Sequence, residues 1–203
     1  MGYKVSVKPG RRLAQIEDLD ESLKAGCEEA AKCGTSIYVY GRHGCGKSSV
    51  LEYFEFRSHE LFGVDESEVL FMTDFDFIET IISGIRKGGI DDFRKRCDDA
   101  KLIIIDDIDR FEGKEATQSE FRRVLELDKL IILSGSKEAD YLPLYEEIRH
   151  KVISYTQMRI DEVSGDSSNL DGSDEECKDF TNSDQSKTYD YESLMKGYLG
   201  RSE

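Results

Sequence analysis

The sequence predicts an α/β fold, a mostly parallel sheet of five strands with helices on both faces. Three observations carry this expectation. Short β-branched runs alternate with segments whose apolar positions recur at helical spacing through the first 160 of 203 residues. Strands that alternate with helices build parallel sheets covered on both sides. The segment Gly41-Arg42-His43-Gly44-Cys45-Gly46-Lys47-Ser48 matches GxxxxGK followed by Ser or Thr, between the run Ile37–Tyr40 and a helical stretch. Further on, Leu102-Ile103-Ile104-Ile105 ends in Asp106-Asp107. A continuous apolar run of this kind reads as a central parallel strand, buried on both faces.

The elements follow in order. Pro9-Gly10 marks a turn in a short basic-leaning start, and Glu17 to Lys32 reads as a helix that Gly34 stops. Strand one is expected at Ser36–Tyr40, then the glycine loop, then a helix from Ser49 to Phe56 with Val50, Leu51 and Phe54 inward. Strand two is expected at Glu68–Met72. A helix from about Asp76 carries Phe77, Ile78, Ile81, Ile82 and Ile85 at helical spacing and ends at Gly88-Gly89. A short helix, Ile90 to Cys97, precedes strand three at Lys101–Asp106. Phe111-Glu112-Gly113 reads as a turn and Ala116 to Leu127 as a helix. Strand four is expected at Lys129–Ser134, a short helix at Leu142 to Ile148, and strand five at Lys151–Tyr155.

A strand, a glycine loop and a helix start form an anion cradle, because loop amides and the positive helix end point inward. Gly41, Gly44 and Gly46 let the backbone turn and approach a ligand closely. Lys47 would reach the β- and γ-phosphates of ATP and Ser48 would hold Mg²⁺; the binding segment runs from Gly41 to Ser49. A glycine-rich turn with a chance lysine is the bland alternative. It weakens once Asp106-Asp107 is read at the C-terminal end of strand three, where open α/β sheets bind ligands. One carboxylate there binds the hydration shell of Mg²⁺, and the next orients or deprotonates an attacking water. Asp107 and Lys47 are therefore the candidate catalytic residues, and Ser48 and Asp106 the candidate metal ligands.

The chain carries a formal net charge of −15, which argues against general binding to duplex DNA through its overall field. Cys27, Cys33, Cys45, Cys97 and Cys177 form no CxxC pair, which excludes a zinc ribbon or thioredoxin site and fits a reducing cytoplasm. Neither a signal peptide nor a membrane-spanning run is read. Residues 161–203 hold twelve acidic against four basic residues and few apolar ones. They are expected to form a disordered acidic tail beyond a domain of residues 1–160. Within the tail, Tyr189–Leu199 has enough aromatic and aliphatic residues to fold on a partner.

The stretch Leu102 to Phe121, LIIIDDIDRFEGKEATQSEF, resembles the Walker B region of the replication initiator DnaA, an IDDIQF-like run followed by GKE, TQ and EFF. The resemblance covers roughly residues 12 to 160. It takes in the strand before the phosphate loop, Phe93–Arg96 as the helix before Walker B, and Leu130–Ser134 as the sensor 1 strand. Helicase loaders of the DnaC type are similar. The resemblance implies an AAA+ core, a P-loop NTPase αβα sandwich that assembles head to tail on DNA in its ATP form. It implies that Asp106 binds Mg²⁺ through water and that Asp107 stands where most AAA+ proteins place a catalytic glutamate. Sensor 1 falls at Ser134 to Ser136, where the family carries an aspartate near Ser136. The arginine-finger position falls at Arg149-His150-Lys151, with Lys151 aligned, so self-association or pairing with another AAA+ subunit would use that side. The family's helical lid and helix-turn-helix domain are not expected in the acidic tail.

Three functions are weighed. One is a reduced DnaA-like ATPase in replication initiation or its regulation, with ATP-dependent assembly and slow hydrolysis. Arg86, Lys87 and Arg94 to Arg96 lie where this family touches single-stranded DNA, although exposed basic residues are common on any helix. Another is a nucleotide-binding regulatory partner of another AAA+ protein that scarcely hydrolyses. The third, a small-molecule kinase, needs an arginine-rich lid, and only Arg122-Arg123 approaches that composition.

Overall fold

The computed structural model describes residues 19–160. The turn at Pro9-Gly10, the predicted helix start at Glu17, Cys177 and the acidic tail with Tyr189–Leu199 lie outside the described residues. Five parallel strands form one sheet in the order β2-β3-β4-β1-β5. They are β1 (Ile37–Tyr40), β2 (Val69–Met72), β3 (Leu102–Ile105), β4 (Leu130–Gly135) and β5 (Thr156–Arg159). The helices are α1 (Glu21–Lys32), α2 (Lys47–Phe56), α3 (Ser58–Phe62), α4 (Asp74–Lys87), α5 (Ile90–Asp99), α6 (Glu115–Leu125) and α7 (Glu146–Ile153).

Side chains alternate across the sheet and divide the core in two, as the pleat requires. Ile37, Val39, Leu102, Ile104 and Ile132 face Cys27 of α1 and Val50, Leu51 and Phe54 of α2. Tyr38, Ile103, Ile105, Ile131 and Leu133 face Phe77 and Ile81 of α4, Phe93 of α5, Phe121 and Val124 of α6, and Ile148 and Val152 of α7. Helices therefore cover both faces, which is the predicted α/β sandwich. In register, Tyr40 lies beside Gly135 and Arg159, and Ile105 beside Met72 and Leu133. All the strand ends that matter for a site thus open on one edge.

Local chemistry sets the boundaries. The helix after β2 begins at Asp74, earlier than the predicted Asp76. Thr73 caps it by accepting from the Asp76 amide at 3.1 Å, while the Asp76 carboxylate takes the Thr73 amide at 3.2 Å. This reciprocal capping box starts a helix at the residue after the threonine. Phe111 closes a 3-10 turn, Ile108–Phe111, and is fully buried, while Glu112 and Gly113 form the predicted turn after it.

The last two predicted elements are displaced. The helix lies at Glu146–Ile153, after a 3-10 turn at Ala139–Tyr141, and not at 142–148. Strand five is Thr156–Arg159, and the predicted strand residues 151–153 are helical. Lys151-Val152-Ile153 has β-branched residues, but Ile148 and Val152 are one helical turn apart and bury together. β5 is an edge strand whose residues alternate between half-buried and exposed, so Thr-Gln-Met-Arg carries no apolar run to signal it.

Candidate nucleotide-binding site

The loop after β1 turns through Gly44 at φ 81° and Gly46 at φ 98° before α2 begins. Position 46 is the N-cap of α2 and adopts a left-handed conformation that side-chain-bearing residues disfavour. The N-terminal turn of α2 holds no acid, whereas Glu21, Asp74, Asp91, Glu115 and Glu146 stand in the first turns of α1, α4, α5, α6 and α7. Acids complement a helix N-terminus, so α2 leaves its positive end open to an external anion.

Lys47 opens α2 and is 5% exposed. Its ammonium donates to the Gly41 carbonyl at 3.1 Å and the Arg42 carbonyl at 3.0 Å. An ammonium has three donors, so one remains for a ligand oxygen. Arg42, His43 and Gly44 are exposed at the lip of the loop, while Cys45 and Ser49 are half-buried.

Asp106 leaves the end of β3, 8% exposed, with its amide bonded to the Met72 carbonyl at 3.0 Å. Ser48 donates its hydroxyl to Asp106 Oδ2 at 2.7 Å. Ser134, from β4, donates its hydroxyl to Asp106 Oδ1 and accepts the Asp107 amide at 2.8 Å. Both carboxylate oxygens of Asp106 are thus held by serines from neighbouring elements. Asp107 adopts φ 54°. Burial, then the Asp106 carboxylate beside it, pushes the Asp107 carboxyl above the usual carboxylate range, with Lys47 pulling the other way.

The structure brings Lys47, Ser48, Asp106 and Asp107 together but separates the two sensor serines. Ser134 is completely buried, and its hydroxyl bonds to Asp106 and Asp107 rather than facing solvent. Ser136 is exposed and lines a cleft of about 290 Å³ with Gly41, Arg42, Glu138 and Arg159. Arg149 and Lys151 belong to α7, where the Arg149 guanidinium donates to the Leu144 carbonyl at 3.1 Å. Arg94 pairs with Glu120 and Asp91, joining α5 to α6, while Arg86, Lys87, Lys95 and Arg96 are exposed.

Sequence reasoning passed over three residues that shape this edge. Asp109 accepts the Ser136 amide. Tyr38 donates its hydroxyl to the Lys137 carbonyl at 2.7 Å. Gln118 is buried, donates to the Phe111 carbonyl at 3.0 Å and accepts the Tyr145 amide at 2.8 Å. The third aspartate of the Asp106–Asp109 run, and an amide on the apolar face of α6, were the available signals.

Ser48 Oγ and Asp106 Oδ2 are hard oxygen donors side by side, at the end of an anion cradle. Mg²⁺ is typically bound by one or two protein oxygens together with waters and phosphates, so the residues fit a magnesium–nucleotide pair. Among the described residues no cluster of three or more His, Cys, Asp or Glu could hold a metal ion by itself.

A parallel sheet in this order, with a glycine loop after β1 and paired aspartates after β3, defines a P-loop NTPase of the AAA+ class. Residues 19–159 match the bacterial DnaA ATPase domain, and the chain belongs to that family. Over 105 residues it is 30% identical to the chromosomal replication initiator protein DnaA of Acinetobacter baumannii, covering 50% of this chain and 22% of that protein. A structure of AMPPCP-bound DnaA from Aquifex aeolicus is 26% identical with a TM-score of 0.59, over 76% of this chain and 48% of that one. A structure of the DnaC helicase loader, 13% identical with a TM-score of 0.53, shares the fold over 74% of this chain and 86% of that one. The chain thus spans about a fifth of the curated relative and about half of the solved DnaA chain.

Proposed function

We propose that this chain binds ATP with Mg²⁺ in the loop Gly41–Ser49 and hydrolyses it slowly, as a DnaA-like protein of replication initiation or its regulation. The observation that carries this reading is the contact of Ser48 with Asp106 at 2.7 Å, beside an ammonium held at the centre of the loop. Lys47 and the loop amides receive the phosphates, and Ser48 and Asp106 hold the metal. Mg²⁺, when bound, neutralises charge on the terminal phosphates. Asp107 takes the position of the group that orients water, and burial beside the Asp106 carboxylate raises its carboxyl above the usual carboxylate range, which makes it a stronger proton acceptor. Family membership and the likeness to AMPPCP-bound DnaA support the nucleotide assignment.

Assembly with a second copy or another AAA+ subunit would use the α7 side, through exposed Lys151 and half-buried Arg149. The exposed cations Arg86, Lys87, Lys95 and Arg96 are the candidate contacts for single-stranded DNA. The free thiols of Cys27, Cys33, Cys45 and Cys97 suit a cytoplasmic location. Among the described residues no helix is long and apolar enough to cross a membrane. The nucleotide-binding unit comprises residues 1–160, with 161–203 as an acidic tail.

A second reading is a regulatory subunit that binds nucleotide without turnover. It is favoured by the neutral Ser136 in the cleft and by the Arg149 guanidinium engaged on its own α7 entry.

The test is a titration with a fluorescent ATP analogue alongside turnover assays, with and without single-stranded DNA. Lys47→Ala should lose at least about a hundredfold in affinity, the order expected for a charged hydrogen-bonding group withdrawn from a phosphate site, while keeping its thermal midpoint. Unchanged affinity would refute the site. Turnover stimulated by single-stranded DNA supports the autonomous ATPase, and binding without turnover supports the regulatory subunit.

A further inference from the structure

Gln118 is buried, 3% exposed, on the face of α6 that also buries Phe121 and Leu125. Each end of its amide is taken by a different element. Nε2 donates to the Phe111 carbonyl at 3.0 Å, and Oε1 accepts the Tyr145 amide at 2.8 Å. Phe111 closes the 3-10 turn that follows Asp107, and the Asp107 carbonyl opens that turn by accepting the Arg110 amide at 3.2 Å. Tyr145 is the N-cap of α7 and makes no side-chain cap; its carbonyl accepts the Arg149 amide at 3.0 Å. One side chain therefore joins the carboxylate turn to the start of the helix that carries Arg149 and Lys151. The Phe111 carbonyl is also reached by the Lys114 amide at 3.1 Å, so satisfying it does not by itself call for a glutamine. A methionine would fill the same volume without desolvating an amide, which costs free energy unless both ends are bonded. The link between the two elements is what the glutamine adds.

We propose that Gln118 is a positioning residue that couples the nucleotide site to α7: it makes the carboxylate turn and the α7 N-cap move together, so that nucleotide occupancy is felt on the α7 side. The inference rests on the nucleotide reading above. Asp107 supplies the sensitivity. It is held at φ 54°, a conformation that side-chain-bearing residues disfavour, so a change beside it shifts the turn that begins at the next residue. Ser48 and Asp106 Oδ2, which bond each other at 2.7 Å, are the oxygens that the reading assigns to the metal. Occupancy therefore redistributes charge next to Asp107. The turn carries the displacement to Phe111, and Gln118 carries it to Tyr145, because a buried amide has no solvent with which to exchange partners.

The experiment follows amide hydrogen exchange on the full chain, with and without saturating Mg²⁺ and a non-hydrolysable ATP analogue. In wild type the analogue should slow exchange at residues 108–111 and also at the Tyr145 and Arg149 amides, by about fivefold, the order of one hydrogen bond. Gln118→Met keeps the volume and loses both bonds. It should bind the analogue within about twofold of wild type and keep the slowing at 108–111, while the effect of the analogue at Arg149 disappears. Tyr145→Pro removes only the amide at a residue whose φ of −55° suits proline, and should abolish the effect at Arg149 in the same way; Tyr145→Ala, which loses the ring and keeps the amide, should preserve it. A purely structural glutamine would instead speed α7 exchange equally in both states and leave the effect of the analogue intact in Gln118→Met. That result, or a wild-type α7 indifferent to bound analogue, overturns the proposal while leaving the nucleotide site standing. Should Gln118→Met be too unstable to assay, an effect that survives in Tyr145→Pro overturns it. A wild-type chain that binds no analogue removes the underlying reading itself.

Discussion

Asp107 is the residue whose conformation and charge are both held against ordinary preference. It has the one positive φ, 54°, outside glycine among the described residues, and it is partly desolvated beside Asp106. Strain of this kind gathers at functional sites. Burial beside Asp106 holds its carboxyl above the usual carboxylate range, so the folded chain binds that proton more tightly than the unfolded chain. The folded state therefore binds more protons across that window, and stability falls as pH rises through it. Asp107→Asn removes the penalty and keeps a residue tolerant of the left-handed conformation. We expect nucleotide binding retained, turnover lost, and a higher thermal midpoint than wild type at neutral pH. That advantage should shrink as pH falls towards the ordinary carboxylate range. Thermal melts across pH, with turnover at neutral pH, check both halves; persistent turnover would remove Asp107 as the water-orienting group. Gly135 shows a different constraint, since a Cβ there would stand 2.1 Å from the Tyr38 hydroxyl. That requirement is invisible in the local sequence Ser134-Gly135-Ser136, which reads as an ordinary strand end.

At the scale of elements, the carboxylate turn is braced by aromatic packing. Phe77 of α4 stacks on Phe111 at 5.0 Å and meets Phe93 of α5 at 5.4 Å and Phe121 of α6 at 5.9 Å, both edge-on. One buried ring thus joins three helices to the 3-10 turn that begins one residue after Asp107. Phe77→Ala should destabilise the fold by about 3–5 kcal/mol, read as a lower denaturant midpoint, whereas Phe77→Leu should lose less. An unchanged midpoint would mean that the turn is held by its backbone alone. The apolar spacing of α4 announced this helix, because Phe77 and Ile81 repeat at one turn and bury together. The final strand gave no such signal. An edge strand needs backbone pairing on one side and only a half-buried face, and Thr-Gln-Met-Arg meets that requirement without an apolar run.

At the scale of the molecule, a parallel sheet gathers the ends of β1, β3 and β4 on one edge although they are some sixty and ninety residues apart in sequence. A ligand that bridges the phosphate loop and Asp106 binds the folded chain and not the unfolded one, so it stabilises by mass action. At a concentration a hundred times its dissociation constant, Mg²⁺–ATP should add about 2.7 kcal/mol, seen as an upward shift of the melting midpoint that chelation of the metal reduces. No shift at saturating nucleotide would contradict the assignment of the site. The site's main parts were legible beforehand because the glycine loop and the paired aspartates have fixed local spacing, and each emerges at the end of its own strand.

What the sequence determined by itself was the α/β class, the phosphate loop and the carboxylate pair, since hydrophobic periodicity and glycine spacing are local properties of a chain. What only the tertiary structure decided was which serine faces outward, that Asp109 holds the Ser136 amide, and where the last helix and strand lie. Those outcomes depend on strand order and on hydrogen bonds between residues far apart in sequence. Ser134 and Ser136 are chemically identical and two positions apart. The neighbouring β3 carboxylate holds the first inside the sheet, and the end of β4 at Gly135 leaves the second exposed.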